Sequence, residues 1–101
     1  GMHAVHTNNN LCLIVFGLKL AEGDLMRGLS QTVAMGLDSD CTAASAGSIL
    51  GAVLGKRAIA PELYECFHDR MDTYLKNTEA FSIRDMAKRY SALAHKVHSR
   101  L

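Results

Sequence analysis

Apolar residues in this chain recur with the spacing of helices. The first long apolar segment, Leu11-Cys12-Leu13-Ile14-Val15-Phe16-Gly17-Leu18-Lys19-Leu20, follows Asn8-Asn9-Asn10 and gives way to Glu22-Gly23. An asparagine cap in front and a glycine behind predict a mostly buried helix over 9–21, although Ile14-Val15-Phe16 alone would suit a strand. Asp24 then caps a second helix over 25–35. In it Leu25, Leu29 and Val33 fall at i, i+4 and i+8 beside Met26, a one-sided stripe interrupted by Gly28. Gly36 ends that helix.

A third helix is expected over 40–54, beginning at Asp40 or Cys41. It carries no charge after Asp40, and Ala43, Gly47, Gly51 and Gly55 stand four apart as a smooth ridge. Glycine inside a helix costs up to about 1 kcal/mol relative to alanine, so the ridge predicts close approach of another backbone. Pro61 suits the first turn of a short helix over 62–68. Residues 69–81 read as irregular, with Tyr74, Leu75 and Phe81 as anchors. Ser82-Ile83-Arg84-Asp85 has the form of a capping box with Asp in place of Glu, and it opens a last amphipathic helix ending near 98. The inward face of that helix is expected to be Ile83, Met86, Ala87, Tyr90, Leu93, Ala94 and Val97. The pattern predicts an all-α fold, a compact multi-helix orthogonal bundle occupying 1–101 as one segment with no internal repeat. Gly1 ahead of Met2 reads as an expression remnant.

Composition agrees with helices and narrows the function classes. Of 101 residues 49% are hydrophobic, tryptophan is absent and only three Tyr and three Phe occur, so the apolar mass is Ala, Leu, Ile, Val and Met. Eleven basic and ten acidic residues leave a formal charge of +1, which offers no electrostatic grip on nucleic acid or anionic lipid. No apolar run reaches the ~20 residues that span a bilayer. Cys12, Cys41 and Cys66 are odd in number and widely spaced, which argues against a disulfide framework and for a reducing compartment. The chain therefore reads as cytoplasmic, with neither nucleic acid nor membrane as partner.

Candidate chemistry concentrates at Gly36-Leu37-Asp38-Ser39-Asp40-Cys41. Two readings are open. Asp38, Ser39 or Asp40 can cap the helix that follows, since a side-chain oxygen there accepts an orphan backbone N–H and negative charge suits the dipole. The two carboxylates can instead hold a hard divalent cation, which prefers oxygen ligands drawn from one short arc of backbone. Elsewhere the plainer readings hold. His95 and His98 at i and i+3, and Asp69 and Asp72 at the same spacing, read as solvated surface pairs without a third ligand. Cys66 and His68 at i and i+2 point apart on a helix, so they form no nucleophile and base pair.

Val5-His6-Thr7, Asn9-Asn10, the leucine-rich segment and then Gly-Leu-Asp-Ser-Asp-Cys-Thr-Ala-Ala-Ser-Ala-Gly-Ser-Ile-Leu-Gly-Ala-Val-Leu-Gly over 36–55 resemble the C-terminal part of the ADP-ribosylglycohydrolase family. The family pattern there is Gly-x-Asp-Thr-Asp-[Thr/Cys] followed by a small-residue helix. The similarity runs from about Val5 to Tyr90. It implies the C-terminal part of a larger all-α hydrolase fold with a centre of two Mg²⁺ ions, cleaving the N- or O-glycosidic bond between ADP-ribose and a protein side chain or related acceptor. Asp38 and Asp40 take the places of metal ligands. Ser39 and Cys41 are metal-adjacent, Ser39 standing where threonine is usual and Cys41 where a threonine often reaches the metal. Cysteine is a soft ligand poorly matched to Mg²⁺, so Cys41 reads as a packing residue. His6 and Asn9 are candidates for contacting substrate, His6 also serving as a helix-start residue. The paired cations would orient ribose hydroxyls and a water.

Members of the family are longer, and a Thr-Asp-Asp-type motif in their N-terminal portion supplies the other half of the metal site. No such motif occurs in this chain. Two aspartates fall short of the six or so oxygen ligands of one magnesium, so the expectation is a C-terminal fragment that is inactive alone. The uncovered apolar faces, Leu11 to Leu20 and the glycine ridge, predict a homo-oligomer or a complex with the missing N-terminal half. The alternative is a non-catalytic helical oligomerisation or interaction module.

Overall fold

The first two helices of the N-terminal part start where a side chain satisfies an orphan backbone N–H. The computed structural model describes His3 and residues 5–101. Their order is α1 (Thr7–Ala21), α2 (Leu25–Ala34) and α3 (Ser39–Leu54), then 3-10 turns at Lys56–Ala58, Pro61–Leu63 and Glu65–Phe67, strands β1 (Arg70–Asp72) and β2 (Ala80–Ser82), and α4 (Ile83–His98). The fold is all-α apart from this one small hairpin. The chain divides into two compact units, Gly1–Ala60 and Pro61–Leu101.

In the first unit, α1 begins two residues earlier than the sequence predicts. The His6 imidazole, not an asparagine, occupies the N-cap and accepts the Asn8 backbone N–H at 3.2 Å. Asp24 caps α2 as expected, its carboxylate accepting the Arg27 N–H at 2.6 Å. Between α2 and α3 the chain reverses through Gly36 and Leu37, both left-handed at φ 73° and 60°. Glycine adopts that conformation freely, whereas leucine is strained in it.

The core of this unit forms where α1, α2 and α3 pack on one another. Ala21, Leu25 and Leu50 are buried at its centre, with Leu18, Leu29, Leu54 and Ile59 packed around them. The close approach predicted for the α3 glycine ridge occurs elsewhere. A methyl group at Gly51 would meet nothing within 4 Å, and one at Gly47 would touch only the Leu29 side chain at 3.0 Å. Gly17 and Gly28 are the glycines that packing requires. A methyl at Gly17 would overlap Thr32, and one at Gly28 would lie 2.5 Å from Leu50 Cδ1 and 2.8 Å from Ala21 Cβ. The α3 face that packs is instead Thr42, Ala46 and Leu50, one turn apart. Small side chains on the crossing α1 and α2 do what the ridge was expected to do.

The second unit departs further from expectation. The segment predicted as a helix over 62–68 forms two 3-10 turns, and His68 and Asp69 are left-handed at φ 49° and 58°. Residues 69–81, expected to be irregular, contribute β1, which pairs antiparallel with β2 in the register Arg70↔Ser82, Met71↔Phe81, Asp72↔Ala80. Ser82 caps α4 as predicted, accepting the Asp85 N–H at 3.1 Å. The α4 apolar stripe is not inward. No α4 residue is buried, and Tyr90, Leu93 and Val97 are all more than half exposed. Met86, Tyr90 and Leu93 instead line an open groove of about 500 Å³ with Leu75, Phe81 and Arg89.

Candidate functional site

The packing rows of α1 and α3 run out at one place. On α1 the row is Ala21, Gly17, Ile14 and Asn10, reading toward the N-terminus. On α3 it is Leu50, Ala46, Thr42 and Asp38. The α1 row is apolar or small until Asn10, and the α3 row passes through the buried Thr42 to the half-buried Asp38. The two end members meet: Asn10 Nδ2 donates to Asp38 Oδ2 at 2.7 Å across 28 residues of sequence. A carboxylate offers only acceptors, so the amide must present its NH₂ to Asp38. Its other end, Asn10 Oδ1, is then buried without a hydrogen-bond partner. A buried acceptor left unmet costs roughly 1–3 kcal/mol.

Asp38 holds the N-cap position of α3, yet its side chain makes no capping hydrogen bond. The first turn is closed otherwise. The Asp38 carbonyl accepts the Thr42 N–H at 3.0 Å and the Thr42 hydroxyl at 3.1 Å. Of the two readings the sequence left open for Asp38, capping is therefore not the use made of its carboxylate. That carboxylate lies instead in a group with Asp40 and Cys41, whose ligand atoms are all within 4.8 Å of one another. Asp38 is half-buried, while Asp40 and Cys41, in the first turn of α3, are exposed.

The electrostatics of this group are set by hydrogen bonds more than by burial. The Asn10 amide, helped by the Cys41 thiol, holds the Asp38 carboxyl below its ordinary 3.8, against the opposing effect of desolvation. Cys41 moves the other way. Its hydrogen bond to Asp38 and the negative charge of Asp38 and Asp40 push the thiol above its ordinary 9.0. An ionised acid beside a protonated, neutral thiol fits a hard cation on the carboxylates, with the sulfur kept out of coordination. Two carboxylates supply charge and part of a ligand set; they do not complete one.

The remaining candidates are placed as follows. Ser39 is the first residue of α3 and half-buried, and its carbonyl also accepts from Thr42 Oγ1 at 3.3 Å. His6 Nδ1 is committed to the α1 cap. Asn9 Nδ2 donates to the His3 carbonyl at 3.1 Å. His95 and His98 are exposed and line a shallow depression of about 270 Å³ with Ser91 and Ala94. Among the described residues they join no third ligand. Cys66 is exposed in the Glu65–Phe67 turn, and His68 follows it as the left-handed closing residue. Asp69 is not the solvated partner of Asp72 that its spacing suggested. Its carboxylate accepts Ser82 Oγ at 2.7 Å and the Arg84 N–H at 2.8 Å, which fixes the start of α4. Asp72 pairs with Arg70 at 2.7 Å.

Sequence reasoning missed Asn10. Its signal was present, because Asn10 continues the Ile14, Gly17, Ala21 row and so sets an amide on the face that packs.

No described helix is long and apolar enough to cross a membrane. No curated protein and no solved structure matches the chain significantly. The family model described as ADP-ribosylglycohydrolase matches residues 3–99, nearly the whole chain and including Asn10 and the Asp38 to Cys41 group. The chain belongs to the ADP-ribosylglycohydrolase family.

Proposed function

We propose that this chain is the C-terminal, cation-binding portion of a magnesium-dependent hydrolase of ADP-ribosyl glycosidic bonds, and that it does not turn over substrate alone. The observation that carries the reading is the Asp38 carboxylate, at the start of α3 in a chain of this family and not used as a helix cap. Asp38 and Asp40 are the residues that would hold the ion. When bound, the cation supplies a positive centre that orients hydroxyls and water. The rest falls to the chain. The Asn10 amide favours the ionised form of Asp38, so the carboxylate stays charged to lower pH than an ordinary aspartate. The α2–α3 turn and the buried row behind Thr42 fix the two acids on a rigid helix end.

The inactivity follows from ligand count. The described residues group two carboxylates with one thiol, against the six or so oxygens that magnesium takes. The test is release of ADP-ribose from an ADP-ribosylated protein in the presence of Mg²⁺. The chain alone is expected to release none. Magnesium-dependent release that is absent in Asp38→Ala would show a complete enzyme and overturn the inactivity. Three exposed free thiols fit a reducing, cytoplasmic setting.

A second observation favours an added role in self-association. Leu11, Val15 and Phe16 on α1 are each more than half exposed, and Leu20 is 42% exposed. Apolar surface of this kind finds a partner, which we take to be a second copy or the complementary N-terminal portion of the hydrolase. A monomer by light scattering at micromolar concentration would exclude the homo-oligomer. An oligomer that binds neither Mg²⁺ nor ADP-ribose would instead favour the non-catalytic module.

A further inference from the structure

We infer that Asn10 is a positioning residue for cation binding: its amide NH₂, reaching across from α1, orients the Asp38 carboxylate. The inference rests on the reading of Asp38 and Asp40 as cation ligands, and it adds a residue outside the Asp-x-Asp motif.

Three observations on separate atoms support it. Asn10 Nδ2 and Asp38 Oδ2 are 2.7 Å apart, and the bond joins two different helices. It therefore holds the carboxylate from a second helix, beside the local hydrogen bond from the Cys41 thiol. The N-cap side-chain bond that could have set its direction is not made. Asn10 Oδ1 is buried and unpartnered. The orientation that presents the NH₂ to Asp38 is thus kept although it leaves the amide oxygen without a donor. Outer partners of this kind tune a metal site by orienting its ligand carboxylates.

A purely structural tether between α1 and α3 is the competing account. It predicts that removing Asn10 lowers stability and leaves cation binding alone. The two are separated by Mn²⁺ titration of the full chain, followed by paramagnetic broadening of backbone amides in NMR, with Asn10→Ala beside Asn8→Ala. Asn8 is an exposed neighbour on the same turn. In the wild type, broadening is expected to centre on residues 38–42. Asn10→Ala should weaken the apparent Mn²⁺ affinity about tenfold or more, and Asn8→Ala should leave it unchanged. A metal-free readout accompanies this. The Asn10 side-chain NH₂ resonances should stand apart from those of exposed asparagines and collapse onto them in Asp38→Ala.

Equal Mn²⁺ affinity in wild type and Asn10→Ala, with both folded by their amide spectra, overturns the inference and leaves the cation site standing. Should Asn10→Ala unfold, Asn10→Ser replaces it, and unchanged affinity there is equally decisive. No broadening at 38–42 in the wild type overturns the cation reading itself, and this inference with it.

Discussion

The two units of this chain are built on opposite principles. The first, Gly1–Ala60, has a buried core, and its candidate site grows out of the ends of the packed rows on α1 and α3. The second, Pro61–Leu101, buries no residue, and hydrogen bonds organise it: Asp69 to Ser82 and Arg84, Ser82 to Asp85, and the short β1–β2 ladder. Side chains fixed by interdigitation can hold two acids in place. Those fixed by exposed hydrogen bonds open locally at little cost. The Asp38, Asp40 and Cys41 group lies in the unit with the core.

The strongest way to break this contrast is to truncate one leucine in each unit. Leu50→Ala removes the central α3 side chain, 7% exposed, and should cost roughly 2–5 kcal/mol in denaturant unfolding. Leu93→Ala on α4, 55% exposed, should stay within about 0.5 kcal/mol. Equal effects would mean the units share one core. Next in size is Gly28→Ala, whose methyl would press on Leu50 and Ala21. Overpacking there should cost about 1–3 kcal/mol, read in the same melts. Asp69→Ala should lower the opening energy of the first turn of α4 by about 1 kcal/mol, seen in hydrogen exchange at residues 83–85, and leave α1 to α3 unaffected.

The smallest effect concerns the Cys41 thiol, which a hydrogen bond to Asp38 and then the nearby charges perturb. Because Asp38 and Asp40 push the Cys41 thiol up, less of it is thiolate at a given pH near 8. Asp38→Ala removes the leading cause, the hydrogen bond, together with the Asp38 charge, so Cys41 alkylation should speed up at that pH and its pH profile should move to lower pH. Asp38 itself has the opposite sign. Its folded value lies below the ordinary 3.8, so its contribution to stability is present above that value and fades as pH falls through the lower one.

How much of this was legible in sequence differs between the units. Asp24, Gly36 and Ser82 announced their helix ends because capping is local chemistry. The α1 cap was misplaced by a few residues because an imidazole does what the asparagines were expected to do. The glycine ridge is largely open, the uncovered face the sequence suggested, but it takes no close backbone from within the chain. Periodicity marks which residues share a face but not which face is turned to a neighbour, and α3 turned Thr42, Ala46 and Leu50 inward. The β1–β2 hairpin was invisible because its strands are three residues each and take their register from the Asp69 cap, a tertiary feature. At the site, the Asp-x-Asp pair was legible as a motif. The contact its Asp38 carboxylate makes across helices was not, since that partner, Asn10, comes from α1.

The claim at the centre is that the Asp38 and Asp40 carboxylates form part of a hard-cation site. The most direct measurement is a Mg²⁺ titration of the chain followed by backbone amide shifts, beside the Asp38→Ala, Asp40→Ala double variant. The account predicts saturable, weak shifts centred on residues 38–42 in the wild type and none there in the variant. Shifts of the same size at 38–42 in both proteins, or no shifts there in the wild type, would contradict it.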